Sequence, residues 1–79
     1  MKAIIETYLL FTHKDNNILI AFNEILTTIT LSRTENQLRG SMETISEYIN
    51  KYFIYGFGSN HMWVKQKENP DERLIIVEF

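Results

Sequence analysis

The stretch that decides the fold runs from Ser41 to Trp63 and reads S-M-E-T-I-S-E-Y-I-N-K-Y-F-I-Y-G-F-G-S-N-H-M-W. It holds six of the aromatic residues of the chain, which are Tyr48, Tyr52, Phe53, Tyr55, Phe57 and Trp63. A helix that ends at Tyr55 and is followed by Gly-Phe-Gly carries aromatic side chains on more than one side of its last turn. Part of the set is therefore expected in the core and part at a partner.

The first half of this stretch predicts a helix that begins at Ser41. Serine is a favourable N-cap, and Glu43 places a negative charge in the first turn, where the helix dipole favours it. Apolar residues recur at spacings of three and four and form a stripe of Met42, Ile45, Ile49, Tyr52 and Phe53. Gly56 or Gly58 is expected to end the helix in the left-handed conformation.

An earlier start of the same helix is the open alternative. Thr34-x-x-Gln37 is a capping-box pattern, and Leu38 extends the apolar stripe backwards. The helix would then begin near Glu35 and contain Gly40.

Two closing strands are predicted after the helix, at His61 to Lys67 and at Arg73 to Phe79. Between them the sequence is polar and mixed in sign, and it is centred on Asn69-Pro70-Asp71. Asn, Pro and Asp favour turns, so this segment is expected to be a solvated turn.

At the N-terminal end, Lys2 to Thr12 is rich in β-branched and aromatic residues and predicts a strand. Both of its faces are largely apolar, which favours a central strand covered on one side by a helix. His13 to Asn17 is expected to be a turn.

Residues 18–32 are ambiguous between a helix and two strands. Helical spacing is present in Ile18, Phe22, Ile25, Leu26 and Ile29. The β-branched run of residues 27–30 is unfavourable in a helix, and Thr28, Thr30 and Ser32 alternate with apolar residues as in a half-buried strand. We favour two strands that meet near Asn23 and Glu24.

The predicted fold class is α+β, in the order β-β-β-α-β-β. An antiparallel sheet of about five strands carries one main helix on one face. Residues 1–79 are expected to form a single domain, close to the smallest size at which one hydrophobic core suffices.

Composition excludes several classes of function. The chain has no cysteine, so it cannot hold a disulfide, a thiolate metal site or a cysteine nucleophile, and a cytoplasmic location is expected. The longest apolar run, Ile18 to Phe22, is too short to cross a bilayer, and no signal segment is expected, because Glu6 interrupts the N-terminal residues before an apolar stretch develops. Eight Lys and Arg against ten Asp and Glu give a net charge of −2, with no basic cluster, so specific nucleic-acid binding is not expected.

No motif for catalysis, a metal or a cofactor stands out, so none of these is predicted. His13 and His61 do not lie at ligand spacing from other metal-binding residues. The G-x-G of residues 56–58 follows the predicted helix, whereas phosphate-binding loops precede one. Glu43 and Glu47 lie one helical turn apart and are expected on a solvated face.

The candidate contact residues are Tyr55, Phe57 and Trp63, because they surround a chain reversal where the core is shallow. Tyr and Trp are enriched in binding hot spots. Tyr52 and Phe53 are assigned to the core. If these aromatic residues are core instead, the contact surface is expected on the strand face of Thr28, Thr30 and Ser32.

These observations favour a small, non-enzymatic protein-binding domain. We expect an inhibitor or adaptor of phage or mobile-element type that acts on a larger intracellular complex, with a homodimer as a further possibility. The alternative is a nucleic-acid-binding module, which requires the basic residues to converge on one face. A small enzyme would need His13 and His61 in one pocket with a carboxylate.

Overall fold

The structure, a computed structural model, describes residues 2–5 and 16–79, apart from the side chains of Ile5, Asn69 and Glu72. These residues form the elements β1 (Lys2–Ile5), α1 (Asn16–Leu31), α2 (Glu35–Ile49), β2 (Phe53–Phe57), β3 (His61–Gln66) and β4 (Asn69–Glu78). The part of the predicted first strand beyond Ile5, and residues 13–15 of the predicted turn, lie outside the described residues. Asn16 and Asn17 belong to α1.

The described strands form one antiparallel sheet in the order β1-β4-β3-β2. The predicted α+β class is confirmed. The described residues form a sheet of four strands, where about five were predicted, and two helices, where one was predicted, in the order β-α-α-β-β-β. The first strand is predicted to be central, whereas β1 lies at one end of the order that residues 2–5 and 16–79 form.

Residues 18–32 fold as one helix, so the two predicted strands are wrong here. Ile18, Ala21, Ile25 and Ile29 are buried on a single stripe of α1. That stripe repeats every three or four residues, and burying it against the rest of the core outweighs the modest helix propensity of the β-branched residues.

The predicted threonine strand face does not exist either. In α1 the hydroxyl of Thr30 donates to the carbonyl oxygen of Leu26 at 2.8 Å, and directly after α1 the hydroxyl of Ser32 donates to the carbonyl oxygen of Thr28 at 2.8 Å. These bonds to the preceding turn satisfy the hydroxyl groups within a helix.

Helix α2 begins at Glu35, so the alternative start was correct and the start at Ser41 was wrong. The hydroxyl of Thr34 accepts a hydrogen bond from the backbone N–H of Gln37 at 3.2 Å. The side chain of Gln37 in turn accepts from the N–H of Arg33 at 2.7 Å. Gly40 consequently lies inside the helix.

The end of α2 also differs from the prediction. The helix stops at Ile49 with Asn50 as its C-cap, and Phe53–Phe57 form strand β2. Neither Gly56 nor Gly58 has a positive φ, so neither acts as a left-handed cap. Aromatic and β-branched residues favour the strand, and Phe53 is fully buried there.

The hairpin between β3 and β4 turns at Lys67 and Glu68, two residues before the predicted Asn-Pro-Asp turn. Pro70 instead lies near the start of β4. The described residues of β1 pair with Ile75 to Glu78 of β4, so the missing N–H of Pro70 breaks no bond to them.

One hydrophobic core joins the helices to one face of the sheet. Its fully buried members include Ile25 of α1, Met42 and Ile49 of α2, and Phe53 and Val64 of the sheet. The rings of Phe22 and Phe53 lie 6.0 Å apart between α1 and β2. Ile45 is only partly buried, at the margin of this core.

Candidate functional site

The two faces of the sheet differ sharply in burial. In β3, Met62, Val64 and Gln66 are buried under the helices, whereas His61, Trp63 and Lys65 alternate with them on the opposite face and are half-buried. We call that opposite surface the open face. Strand register places the following residues on it: Lys2, Ile4, Ile54, Gly56, His61, Trp63, Lys65, Arg73, Ile76 and Glu78.

An apolar row crosses the open face from one edge of the described sheet to the other. Ile4 is opposite Ile76, Ile76 is opposite Trp63, and Trp63 is opposite Gly56. Ile4, Ile76 and Trp63 are all half-buried. Ile54, also half-buried, lies two residues from Gly56 on the same strand face. The row is therefore a partly exposed apolar strip on a sheet face that the described helices do not cover.

Trp63 lies flat over Gly56. A Cβ placed on Gly56 would be 2.7 Å from Cε2 and 3.1 Å from Cη2 of the indole. These distances are too short for any side chain, so the absence of one at Gly56 is what lets the ring settle on the strand. The ammonium group of Lys65 lies over the indole ring, 4.7 Å from its centroid, which places a positive charge on the face of the ring.

Polar residues border the apolar row on one side. Lys2 is opposite Glu78, and Glu78 is opposite His61. An open depression at this border is lined by residues that include His61, Ile76 and Glu78. The open face thus combines an apolar centre with charged groups at its margin.

Tyr55 and Phe57 lie on the other face of the sheet. Both pack against the hydrophobic core and are half-buried. The ring of Phe57 contacts Tyr55 edge-on and Phe79 in a stacked arrangement, each at 6.2 Å, and the Arg39 guanidinium lies 4.2 Å from its centroid. The three predicted contact residues therefore do not form one patch, because Trp63 points away from the other two.

Sequence reasoning missed the isoleucines of the open face. Ile54 was placed inside a helix, and Ile4 and Ile76 were not singled out. Alternation along R-L-I-I-V-E-F, residues 73–79, gave no clear signal, since Leu74, Ile75 and Val77 are buried and Ile76 between them is not. Only strand pairing shows that Ile4, Ile76 and Trp63 are neighbours.

The residues considered for chemistry are dispersed. His61 lies over Gly58, where a Cβ would be 2.9 Å from the imidazole Nδ1, and His13 lies outside the described residues. Glu43 and Glu47 are exposed on α2. Within residues 2–5 and 16–79, no group of three or more His, Asp or Glu side chains could hold a metal ion.

The basic residues are distributed over several surfaces. Lys2 and Lys65 are on the open face, Arg73 is opposite Lys65 on β4, and Lys51 and Lys67 are in turns. Arg39 is on α2, where its guanidinium forms an ion pair with Glu35 at 2.9 Å. Arg33 precedes α2, and Lys14 lies outside the described residues.

The chain belongs to the family described as Domain of unknown function (DUF8466), whose sequence profile matches residues 1–78. No curated protein and no solved structure matches the chain. In the part of the chain that the structure describes, neither helix is long and apolar enough to cross a membrane.

Proposed function

We propose that this chain is a small, non-enzymatic protein-binding domain whose main contact surface is the open face around Trp63. The observation that carries this proposal is the apolar row of Ile4, Ile76 and Trp63 on a sheet face that neither described helix covers. When one face of an antiparallel sheet faces solvent, its side chains are normally polar. A contiguous apolar strip with a polar border is typical of an interaction site.

Trp63 is the expected anchor of this surface. Tryptophan is among the residues most often found at binding hot spots, and its position over Gly56 fixes the ring before any partner arrives. A side chain that is already ordered loses little conformational entropy on binding. Lys65 beside the ring favours a partner that places a carboxylate next to its own apolar group.

An inhibitor or adaptor role in the cytoplasm, of the kind that phages and mobile elements encode, fits a chain of this size. The support for it is compositional: 79 residues, no cysteine and a net charge of −2. A domain this small acts most readily by covering or bridging a surface on a larger protein complex.

Trp63→Ala tests the contact surface, and Tyr48→Ala is its matched control. Tyr48 is an aromatic residue of α2 that is 50% exposed, away from the open face. With a partner purified after capture by the wild-type chain, Trp63→Ala should cost at least about 2 kcal/mol of binding free energy in calorimetric titration. Tyr48→Ala should bind like wild type. Equal binding by all three chains would contradict the proposal.

Tyr55 and Phe57 remain predicted contact residues on the opposite face. Because both pack against the core, Tyr55→Ala and Phe57→Ala should also lower the free energy of unfolding. Urea denaturation of each variant gives the fraction of the chain that remains folded. A fall in partner affinity larger than this fraction accounts for would support direct contact.

A nucleic-acid-binding module is the second candidate, favoured by the position of Lys65 4.7 Å from the Trp63 ring on an open sheet. Aromatic residues flanked by cations stack on single-stranded bases. Fluorescence anisotropy with single- and double-stranded probes tests it. We expect no specific binding at physiological salt, and binding that weakens steeply as salt rises would favour this candidate.

A further inference from the structure

We propose that the outer edge of β2 pairs with the same edge of a second copy of this chain. The two strands would run antiparallel about a two-fold axis at Tyr55 and would join two sheets into one. This inference goes beyond the proposed function, because it uses the backbone edge of the sheet, and the second copy would contact only the side of the Trp63 ring that lies towards β2.

The hydrogen-bond pattern of β2 shows which backbone groups point outward. The N–H of Gly58 donates to the carbonyl of His61 at 2.7 Å, and the N–H of Lys67 donates to that of Tyr52 at 2.9 Å. Both pairs continue the β2–β3 register, so even-numbered residues of this strand face β3. In an antiparallel ladder the alternate residues direct their N–H and C=O groups the other way.

Phe53, Tyr55 and Phe57 therefore present their backbone groups at the edge of the sheet. Strand β2 is last in the described strand order, and no residue in ranges 2–5 and 16–79 supplies another strand beside it. Unpaired N–H and C=O groups in a row form a template for another strand.

The side chains of β2 do nothing to block pairing. The strand reads F-I-Y-G-F and contains no charged residue and no proline. Sheets usually protect an exposed edge with lysine, proline or a bulge, and the register of β2 with β3 is regular. An unprotected apolar edge of this kind favours strand addition.

The strand is also self-complementary, which favours a second copy over an unrelated strand. The backbone N–H and C=O groups that point outward belong to the first, third and fifth residues of the strand. In a two-fold antiparallel pair, Tyr55 lies opposite Tyr55 of the second copy, and Phe53 lies opposite Phe57. The outward N–H and C=O groups of all three residues then form hydrogen bonds with the second copy. Phe53 is fully buried in its own core, so the cross-strand aromatic contact that adds to the stability of the pair is that between the two half-buried Tyr55 rings.

On the open face the same register places Ile54 of the second copy opposite Gly56. The Trp63 ring already lies over Gly56, so the incoming Ile54 would contact the indole and lengthen the apolar row. Pairing along five residues buries less area than a standard interface, so we expect a weak dimer with a micromolar or higher dissociation constant.

Sedimentation equilibrium of the full chain over a concentration series should show a reversible dimer. A synthetic chain with an N-methylated Tyr55 backbone keeps the side chain and removes its outward N–H in both copies. We expect it to weaken the dimer about tenfold or more. Ile54→Lys, which puts a charge at the edge, should do the same. Ile20→Lys, the same substitution at an isoleucine of α1 that is 52% exposed and outside the sheet, should dimerise like wild type.

Hydrogen exchange of the wild-type chain gives a readout that needs no variant. The amides of Phe53, Tyr55 and Phe57 should exchange more slowly as concentration rises, while those of Ile54 and Gly56 should be protected at every concentration. A monomer at all concentrations up to about 500 µM would overturn the inference. A dimer unaffected by N-methylation of Tyr55 would overturn it as well. Neither result bears on partner binding through Trp63, which its own variant tests.

Discussion

Gly56 has no side chain, and the position of Trp63 on the open face depends on this. Its position opposite Trp63 lets the indole lie on the strand, and the ring covers a backbone that would otherwise be open to solvent. The same glycine was expected to cap a helix, and its role is instead a close approach between strand backbone and ring.

Gly56→Ala should displace Trp63 from β2, because the new methyl group would overlap the indole. We expect a shift in the tryptophan emission maximum towards that of exposed indole and a lower free energy of unfolding, by about 1 to 3 kcal/mol. Fluorescence spectra and urea denaturation measure both. An unchanged spectrum would mean that the ring does not rest on Gly56.

Gly40→Ala is the contrasting glycine substitution and should stabilise the chain. Gly40 is exposed inside α2, and a Cβ built there meets no atom within 4 Å. Alanine lowers the entropy of the unfolded chain and has the higher helix propensity, so the free energy of unfolding should rise by about 0.5 to 1 kcal/mol. A lower thermal midpoint would argue against Gly40 being helical.

At the scale of elements, the cap of α2 separates the two helix starts that the sequence allowed. Thr34→Ala removes the hydroxyl that accepts from Gln37 and should cost about 0.5 to 2 kcal/mol of stability. Ser41→Ala is the control, since Ser41 lies within the helix and alanine has the higher propensity there. Chemical denaturation compares them, and a larger loss in Ser41→Ala would reverse the assignment.

Helix α1 shows why its type could not be read from local sequence. Threonines at 27, 28 and 30 favour a strand by propensity, whereas Ile18, Ile25 and Ile29 repeat at helical spacing. The two signals are similar in size locally. Burial of the isoleucine stripe against the core decides between them, and this energy depends on residues far along the chain.

Strand β2 is the opposite case, in which a helical pattern continues into residues that form a strand. Tyr52 and Phe53 continue the apolar stripe of α2, so the periodicity predicts a longer helix. The chain instead turns at residues 50–52, and Phe53 enters the core from the sheet opposite Gln66. A strand beside β3 satisfies backbone groups that no local pattern reports.

At the scale of the whole molecule, the helices and the sheet share one core. Ile49 of α2 is fully buried in it, together with Phe53 and Val64 of the sheet. Ile49→Ala should cost about 2 to 5 kcal/mol, a large fraction of the stability of a small domain.

The same variant should lower two transitions together, helix content by far-ultraviolet circular dichroism and Trp63 fluorescence from the sheet. Coincident transitions are expected of a domain that unfolds in one step. A change confined to the circular dichroism signal would indicate that α2 is not part of the shared core.

Sequence alone determined the α+β class, the strand at residues 61–66 and the helical stripe of Met42 and Ile49, because these follow from composition and from periodicity within one element. Tertiary structure decided the nature of residues 18–32, the end of α2 and the separation of Trp63 from Tyr55 and Phe57. Each depends on which strands pair and which face the helices cover. Strand pairing and helix packing are fixed by contacts between residues distant in the chain, and the energies of these contacts cannot be read from the sequence pattern of one element.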